Sequence, residues 1–362
     1  MKLAKKILHK FFYALLVLWG VVSVVFFLFN VLPGDPARML LGQRADLRTV
    51  EMIREELGLT KPLSLQYVRY LSDLSPLSIH QVNREDHYFF LDKEKYSGSR
   101  VLVQNRKGLG LVLKFPYLGI SFQNRMKVSE MIWDVFPNTF ILALTAIIIA
   151  SLIGTGIGIM CAVWKNSWFD RIAIFVSTLG MSLPSFFSAI LIGWFFAFVL
   201  ADYTGLNLTG NITEIDPLGR GIRIELKNLI LPALTLGIRP LSIVVQLARN
   251  SFLDVLSQDY IRTAKSKGIR FAKILYRHAL RNALNPLITA VSGWFASLMA
   301  GVVFVEYIFG WKGLGYLIVN ALNQYDMPVV LGSVLTIAFI FVVINMLVDL
   351  TYSFLDPRVR TS

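Results

Sequence analysis

The chain has 362 residues, of which 55% are hydrophobic and only 16% are charged, and its mean hydropathy is +0.59. Because soluble domains carry about 25% charged residues, this composition predicts an integral membrane protein. The net charge of +13 does not indicate nucleic-acid binding, since the basic residues lie between long apolar runs, and the single cysteine, Cys161, excludes a disulfide or a cysteine metal site within the chain.

Six runs of the chain contain no Asp, Glu, Lys or Arg, apart from one Arg. Crossing about 30 Å of hydrocarbon takes about 20 helical residues, so each run is long enough to span a bilayer. The runs are 11–34, 135–164, 172–201, 228–238 continued after Arg239 by 240–248, 282–305 and 327–348. The fourth is the weakest, because Arg239 lies inside it between Pro232 and Pro240. The first is too long for the core of a cleaved signal peptide and is interpreted as a retained helix. The sequence therefore predicts an all-α integral membrane protein with six transmembrane helices.

The distribution of basic residues predicts the orientation of these helices. On one side, segments 1–10, 163–171, 249–281 and 349–362 contain 16 Lys and Arg residues, whereas the short loops 202–227 and 306–326 on the other side contain 4. Because basic residues are enriched in short cytoplasmic loops, both termini are predicted to be cytoplasmic. The long segment 33–134 is left out of this comparison of basic residues, since long loops cross the membrane regardless of charge.

Segment 33–134 is the place for a folded region outside the membrane, and this orientation puts it in the periplasm. It begins with a turn, Pro33-Gly-Asp-Pro36, and a helical stretch around 49–57 follows and ends at Gly58. Aromatic and β-branched residues at 88–91 and 101–103 predict short strands. The other predicted regions are the cytoplasmic N-terminus and first helix at 1–32, a core membrane domain at 135–352 with a cytoplasmic loop at 250–281, and a cytoplasmic tail at 353–362.

The sequence contains no pattern for covalent chemistry, nucleotide binding or a metal site. A Gly-x-x-x-x-Gly-Lys-Ser/Thr phosphate loop is absent. His80 and His87 lie near Asp86 and Asp92, but their spacing matches no standard ligand pattern. We therefore expect no metal, no cofactor and no enzymatic activity in this chain.

Three charged residues lie within or at the ends of the predicted helices: Arg239, Glu306 and Asp349. Charges that face lipid cost about 2.5–3.5 kcal/mol or more, so such residues usually face a cavity or a partner. Glu306 and Asp349 end their runs, where solvation by lipid headgroups is an adequate explanation. Arg239 is the best of the three as a pathway residue, with a structural role as the alternative. Pro184 in the third run and Glu306 are the further pathway candidates.

The most informative segment is the polar stretch 259–268. It predicts a short amphipathic helix capped by Ser257, with Asp259 in the first turn, basic residues in the last turn and Gly268 as a left-handed stop. Tyr260, Ile261 and Ala264 fall on its apolar face. A basic loop lying on anionic headgroups is the alternative interpretation.

This segment resembles the coupling loop of ABC-importer permeases, whose general motif is Glu-Ala-Ala, three residues, then Gly. Here Arg262-Thr-Ala264 occupies the place of Glu-Ala-Ala, with Gly268 at the matching distance, which is similar to the branch that imports dipeptides, oligopeptides and nickel. The resemblance covers roughly residues 5–75 and 116–360 and extends to four further motifs. They are Leu32-Pro-Gly-Asp-Pro36, typical of the first (B-type) permease of that branch, Ser182-Leu-Pro-Ser-Phe186, Val305-Glu-Tyr-Ile-Phe-Gly-Trp-Lys-Gly-Leu-Gly315 and Pro328-Val-Val. Residues 78–115 depart from the family and form an insert.

The resemblance implies the fold of a type I ABC importer permease and a subunit that forms half of a translocation pathway for peptides or a related small solute. It implies coupling to an ATPase through residues Tyr260, Ile261, Arg262, Thr263, Ala264, Lys265 and Gly268, with the apolar face of the helix docking into the ATPase. The implied partners are a homologous second permease, two cytoplasmic ATPase subunits or domains that bind the ATP, and a periplasmic substrate-binding protein. The implied location is the bacterial inner membrane.

Two other classes of function remain as alternatives at this point. An ion-coupled secondary transporter that works alone would need titratable groups at the membrane midplane, and the runs contain none suited to that role. A membrane scaffold or assembly protein would make segment 33–134 the working part.

Overall fold

The computed structural model describes residues 2–31, 46–56, 60–96, 98–216 and 221–355. Its helices are α1 Lys2–Val31, α2 Leu47–Glu56, α3 Leu63–Leu74, α4 Val128–Val163, α5 Trp168–Ser182, α6 Ser185–Trp194, α7 Ala201–Thr204, α8 Lys227–Leu256, α9 Asp259–Ser266, α10 Phe271–Ile274, α11 Leu280–Gly301, α12 Val303–Ile308, α13 Leu314–Asn323 and α14 Met327–Leu355. Two π-helical turns, Phe195–Val199 and Leu275–Ala279, continue α6 and α10. The strands are β1 Leu77–Gln81, β2 Arg100–Gln104, β3 Leu109–Leu113, β4 Thr213–Ile215 and β5 Ile222–Ile224.

The chain divides into two compact units. The first consists of 1–12, 135–316 and 339–362, and the second of 13–134 and 317–338. The second unit therefore contains most of α1, most of α13 and the start of α14, in addition to the segment 33–134 that the sequence predicts to be a separate region. The motif Leu32-Pro-Gly-Asp-Pro36 and most of the tail 353–362 lie outside the described residues.

Four helices, α1, α4, α8 and α14, are each long and apolar enough to cross a membrane in the described part of the chain. Two bent pairs pass the same test together: 168–182 with 185–199, bent by 114°, and 271–284 with 286–301, bent by 44°. Counting each bent pair as one span gives six spans. This is the number predicted from the apolar runs.

The third apolar run is not one straight helix. It breaks after Ser182, where Leu183 adopts an extended backbone with φ −72° and ψ 132° and Pro184 precedes α6. Proline disfavours the helical conformation in its preceding residue and lacks the N–H that would continue the ladder, and the extended backbone of Leu183 ends α5 immediately before Pro184.

The fourth run, predicted to be the weakest, is the continuous 30-residue helix α8, which contains both Pro232 and Pro240. It is also the most enclosed of the four long helices, since it contacts α5, α6 and α11. The core of the first unit is built around it from buried apolar residues of several helices, among them Leu142, Ala146, Leu231, Leu236, Met299 and Trp311. Packing on several sides stabilises a helix whose sequence alone looks unfavourable.

The second unit contains a small antiparallel sheet with strand order β1-β3-β2. Leu77 pairs with Leu113 and Ile79 with Leu111, so one face buries Ser78, His80 and Val112 while the other exposes Ile79. The strand predicted at 101–103 is β2, and the sheet lies in the segment 78–115 that the sequence predicts to be an insert. The strand predicted at 88–91 is wrong: this stretch is mainly turns, with a single β-bridge at Phe90.

Polar and aromatic contacts hold the second unit together. Asp326, just before α14, accepts hydrogen bonds from the Ser121 hydroxyl and from the backbone N–H of Phe122 at 3.0 Å. The rings of Phe26 in α1 and Tyr67 in α3 lie 5.1 Å apart between centroids.

The predicted helix around 49–57 is α2, whereas α3 has no counterpart in the sequence prediction.

Candidate functional site

The predicted coupling helix is present as α9, which follows directly after α8. Its N-cap is Gln258, with φ −70° and ψ 150°, and no side chain caps the helix. The predicted cap at Ser257 is wrong, because Ser257 instead ends α8 and its hydroxyl donates to the Asp254 carbonyl at 2.7 Å. Gly268 has φ +69°, which confirms the left-handed stop.

The apolar face of α9 packs against its own chain. Ile261 is fully buried and Ala264 is 7% exposed, and both contact Ile274 of α10, with Leu256 and Ile269 at the margin. These two side chains are therefore not available as a docking surface, which corrects the prediction that the apolar face enters the ATPase. A lone two-turn helix is unstable in water, so the apolar face is used to attach α9 to the adjacent helices.

A hydrogen bond joins α9 to α11. The Asn282 side chain donates to the Tyr260 hydroxyl at 2.9 Å, while the Tyr260 ring remains partly exposed. Together with the buried Ile261, this contact fixes α9 to the ends of both α8 and α11. The helix α9 is therefore attached to two helices of the first unit.

The outward face of α9 is polar and mostly basic. Arg262, Thr263 and Lys265 are exposed. The Arg262–Asp259 ion pair, 3.6 Å long, has side chains that are 78% and 96% exposed, so it contributes little stability. Lys265 lies 5.7 Å from the centroid of the Phe271 ring. This face, and not the apolar one, is the exposed face of α9.

Glu306 lies at the centre of a second polar arrangement, and it is fully buried. Its carboxylate accepts hydrogen bonds from the Thr139 hydroxyl at 2.7 Å and from the backbone N–H groups of Gly315 at 2.7 Å and Tyr316 at 3.3 Å. These N–H groups belong to the first turn of α13, where a helix has free donors and favours a negative charge. The explanation by headgroup solvation is therefore wrong, and Glu306 presents no surface to a pathway in this structure.

The glycines of the motif 305–315 allow this close approach. A Cβ atom at Gly313 would overlap the Glu306 carboxylate, and one at Gly315 would overlap Val303. The Trp311 indole donates to the Asn138 carbonyl at 3.0 Å, and the Asn138 amide donates to the Lys312 carbonyl at 2.8 Å. The motif thus connects α4 to the segment between α12 and α13.

An ion pair that the sequence analysis missed lies at the junction of α5 and α8. The Arg249 Nε and Nη2 atoms donate to the two carboxylate oxygens of Asp170 at 2.6 and 2.8 Å, and Asp170 is only 2% exposed. The backbone N–H of Asn166 donates to the same carboxylate at 2.9 Å. The available signal was that each charge lies next to an apolar run, on the same predicted side of the membrane.

Arg239 lines a cavity of about 100 Å³ within the first unit, whereas Pro184 is the exposed N-cap residue of α6 beside it. The cavity is formed by Leu183 in the break after α5 and by residues of α6, α8 and α11. Among the described residues, no group of three or more His, Cys, Asp or Glu side chains is placed to hold a metal ion.

Comparison with known proteins identifies the family. Residues 154–361 match the family described as "Binding-protein-dependent transport system inner membrane component", and residues 3–83 match its N-terminal domain. The dipeptide transport system permease protein DppB of Alkalihalophilus pseudofirmus is 33% identical over 360 residues, which cover 95% of this chain and 96% of DppB. The glutathione transport system permease protein GsiC of Salmonella typhimurium is 33% identical over 341 residues, covering 94% of each chain.

A solved structure shows the same fold. A chain of the inward-facing MetNI methionine ABC transporter superposes with a TM-score of 0.50 at 13% identity, covering 63% of this chain and 97% of that one. Since nearly all of the MetNI chain is matched, the present chain contains that fold together with additional residues. The family match and the relatives aligned over almost the whole chain replace the alternatives of a secondary transporter and a scaffold. The chain belongs to the inner membrane components of binding-protein-dependent transport systems, and it is a permease subunit of an ABC importer with the type I fold.

Proposed function

We propose that this chain is the first permease of a bacterial importer for dipeptides or other short peptides, with both termini in the cytoplasm. The dipeptide and glutathione permeases that align with almost the whole chain support a small peptide as the solute. The excess of basic residues in segments 1–10, 163–171, 249–281 and 349–362 supports the orientation.

The single observation that carries the mechanism is the attachment of α9. Its apolar residues Ile261 and Ala264 are buried against the adjacent helices, while Arg262 and its polar neighbours are exposed. In this proposal the exposed face contacts an ATPase subunit, and closure of the ATPase moves α9 as a rigid lever. Because α9 continues from α8 and is bonded to α11 through Tyr260, the movement shifts the helices that line the cavity between two states.

The proposed assembly contains four kinds of partner. A homologous second permease supplies the other half of the pathway, two ATPase subunits or domains bind and hydrolyse ATP, a periplasmic binding protein delivers the solute, and the bilayer surrounds the spans. The chain itself has no phosphate-binding loop. The sheet of the insert 78–115 is proposed as part of the contact with the binding protein, since β2 is an edge strand and exposed along its whole length.

The coupling proposal is tested by reversing one exposed charge. Arg262→Glu leaves the buried face intact, so the subunit is expected to reach the membrane at the wild-type level while co-purification of the ATPase and dialanine uptake both fall. Lys165→Glu is the matched control, since it makes the same charge change at an exposed residue in the other short loop on the same predicted side. Wild-type uptake and co-purification by Arg262→Glu would contradict a contact through this face.

The orientation is tested with single cysteines in a Cys161→Ala background. Lys107→Cys in the insert and Ser266→Cys in α9 are both exposed positions. A membrane-impermeant maleimide added to intact spheroplasts is expected to label the first and not the second. Labelling of both from outside would exclude the proposed six-span topology.

A further inference from the structure

The cavity beside Arg239 is lined by both polar and apolar residues of the first unit. It is lined by Leu183, Ser185, Ser188, Thr235, Leu236, Ile238, Arg239, Trp294, Ser297, Leu298 and Gly301. Four of these residues carry hydroxyl groups, of which the Thr235 hydroxyl donates to the Leu231 carbonyl at 2.8 Å. A second concavity of about 240 Å³ shares Trp294 and Ser297 with it and continues along α11.

Arg239 is the one charged residue of this lining. It lies in the middle part of α8, about 18 Å along the helix axis from Lys227 and about 26 Å from Leu256 at 1.5 Å per residue. In the described part of the chain no carboxylate forms an ion pair with it, whereas the partly buried Arg249 of the same helix has Asp170. A guanidinium within a membrane span is costly unless it faces a partner or a polar cavity.

The break at Pro184 adds further positive potential to this site. The helix α6 begins at Ser185, and Ser185 and Ser188 both line the cavity. The first backbone N–H groups of a helix have no acceptor within the helix, and its N-terminal end carries a partial positive charge. A guanidinium, a helix start and several hydroxyl groups therefore converge on one space, and the lining contains no acidic side chain.

We propose that this cavity binds the carboxylate of the transported solute, with the Arg239 guanidinium as its main partner, while Trp294 contacts the apolar part of the solute. Arginine suits this role because its planar donors match the two oxygens of a carboxylate. The inference rests on the proposed function, since it names the chemical group of the peptide that the permease itself recognises. Arg239 is exposed in this subunit, so its guanidinium is accessible to a solute.

The first test uses the complete transporter in vesicles: this chain, its second permease, the ATPase subunits and the binding protein loaded with radiolabelled dialanine. Arg239→Gln is expected to lower the maximal uptake rate about tenfold. ATP hydrolysis stimulated by the loaded binding protein is expected to stay within twofold of wild type, because α9 is unchanged. Arg239→Lys keeps the charge and should recover part of the rate. Arg223→Gln, the same change at an exposed residue of β5, should have no effect.

The second test does not depend on uptake. Phenylglyoxal modifies accessible arginine side chains, and mass spectrometry of the purified complete transporter identifies modified Arg239. Dialanine is expected to protect Arg239 from modification, whereas dialanine with an amidated C-terminus is not. If dialanine protects Arg239 from modification but the wild-type transporter does not take up dialanine, the carboxylate site stands and the proposed function is refuted.

Three outcomes would overturn the carboxylate site. If the wild-type transporter takes up dialanine and Arg239→Gln takes it up at the same rate, the carboxylate site is refuted and the proposed function stays intact. Loss of the second permease from the purified Arg239→Gln complex would show that Arg239 pairs with the partner subunit. The uptake by the wild type and by Arg239→Gln is also compared in vesicles with different fractions of phosphatidylglycerol. If the ratio of the two uptake rates changes with this fraction, the anion bound at Arg239 is a lipid phosphate.

Discussion

The carboxylate of Glu306 accepts a 2.7 Å hydrogen bond from the backbone N–H of Gly315, in the first turn of α13. The same carboxylate also holds Thr139 of α4, so one side chain joins three elements of the membrane domain. Because it is fully buried, its removal leaves donors that no water can reach.

Glu306→Ala is therefore expected to destabilise the protein by about 1–3 kcal/mol for each buried donor left without a partner. Glu306→Gln keeps one oxygen for the helix start and should be less harmful. Thermal unfolding in detergent is monitored by the reaction of a fluorogenic maleimide with the Cys161 thiol, which is buried in the folded protein. Equal melting temperatures for wild type and Glu306→Ala would show that the contact is dispensable.

The ion pair between Asp170 and Arg249 should be necessary as a pair. Asp170→Ala or Arg249→Ala alone leaves one charge without its partner, which costs about 3–5 kcal/mol for a buried pair. The double variant is expected to be less destabilised than the sum of the two single variants, and the same thiol assay gives the coupling energy. Asp259→Asn is the control, since its side chain is 96% exposed. Additive single effects would mean that the pair contributes no coupling.

Gly268 should matter through its backbone conformation and not through space. Its φ is +69°, and a Cβ atom placed there would meet nothing within 4 Å. Gly268→Val is expected to cost at least about 1 kcal/mol and to lower uptake by changing the direction of α9. Gly268→Asn, which tolerates the left-handed region, should retain most of the uptake. If both variants behave alike in dialanine uptake, the conformational explanation is wrong.

Lys114 of the insert should make the stability of the β-sheet depend on pH. Its amine is buried without a hydrogen-bond partner, 3.7 Å from the centroid of the Tyr96 ring, and burial lowers the pKa of Lys114 to about 8. The unfolded chain, with a lysine pKa of about 10.4, binds more protons between pH 8 and 10.4, so stability rises with pH across this window, by up to about 3 kcal/mol.

Lys114→Met removes this titration and should be more stable than wild type at pH 7, with the difference shrinking as the pH rises from 8 to 10.4. Hydrogen exchange of the β1 and β3 amides measures the local opening free energy in the intact protein. Lys107→Met, at an exposed residue of the same insert, is the control. A difference that stays constant over this pH range would contradict the low pKa.

The short helix α9 and its stop at Gly268 were predictable because they depend on local sequence. A helix pattern followed by glycine specifies the turn within a few residues. The direction of the apolar face was not predictable, since an exposed docking face and a buried packing face have the same pattern. Only the position of Ile274, which belongs to the next helix, shows that Ile261 and Ala264 are buried within the subunit.

The sequence by itself determined which apolar runs form the spans, six if each bent pair is one span, and the resemblance to a permease, because hydropathy and short motifs are properties of neighbouring residues. Tertiary structure decided the rest. Asp170 and Arg249 are 79 residues apart and Thr139 and Glu306 are 167 apart, so no local pattern relates them. The sheet of the insert and the continuity of α8 through two prolines likewise depend on partners distant in sequence. Burial makes these contacts strong, and burial is set by the packing of the whole unit, since a charge that is costly alone is stabilised only where the fold brings its partner.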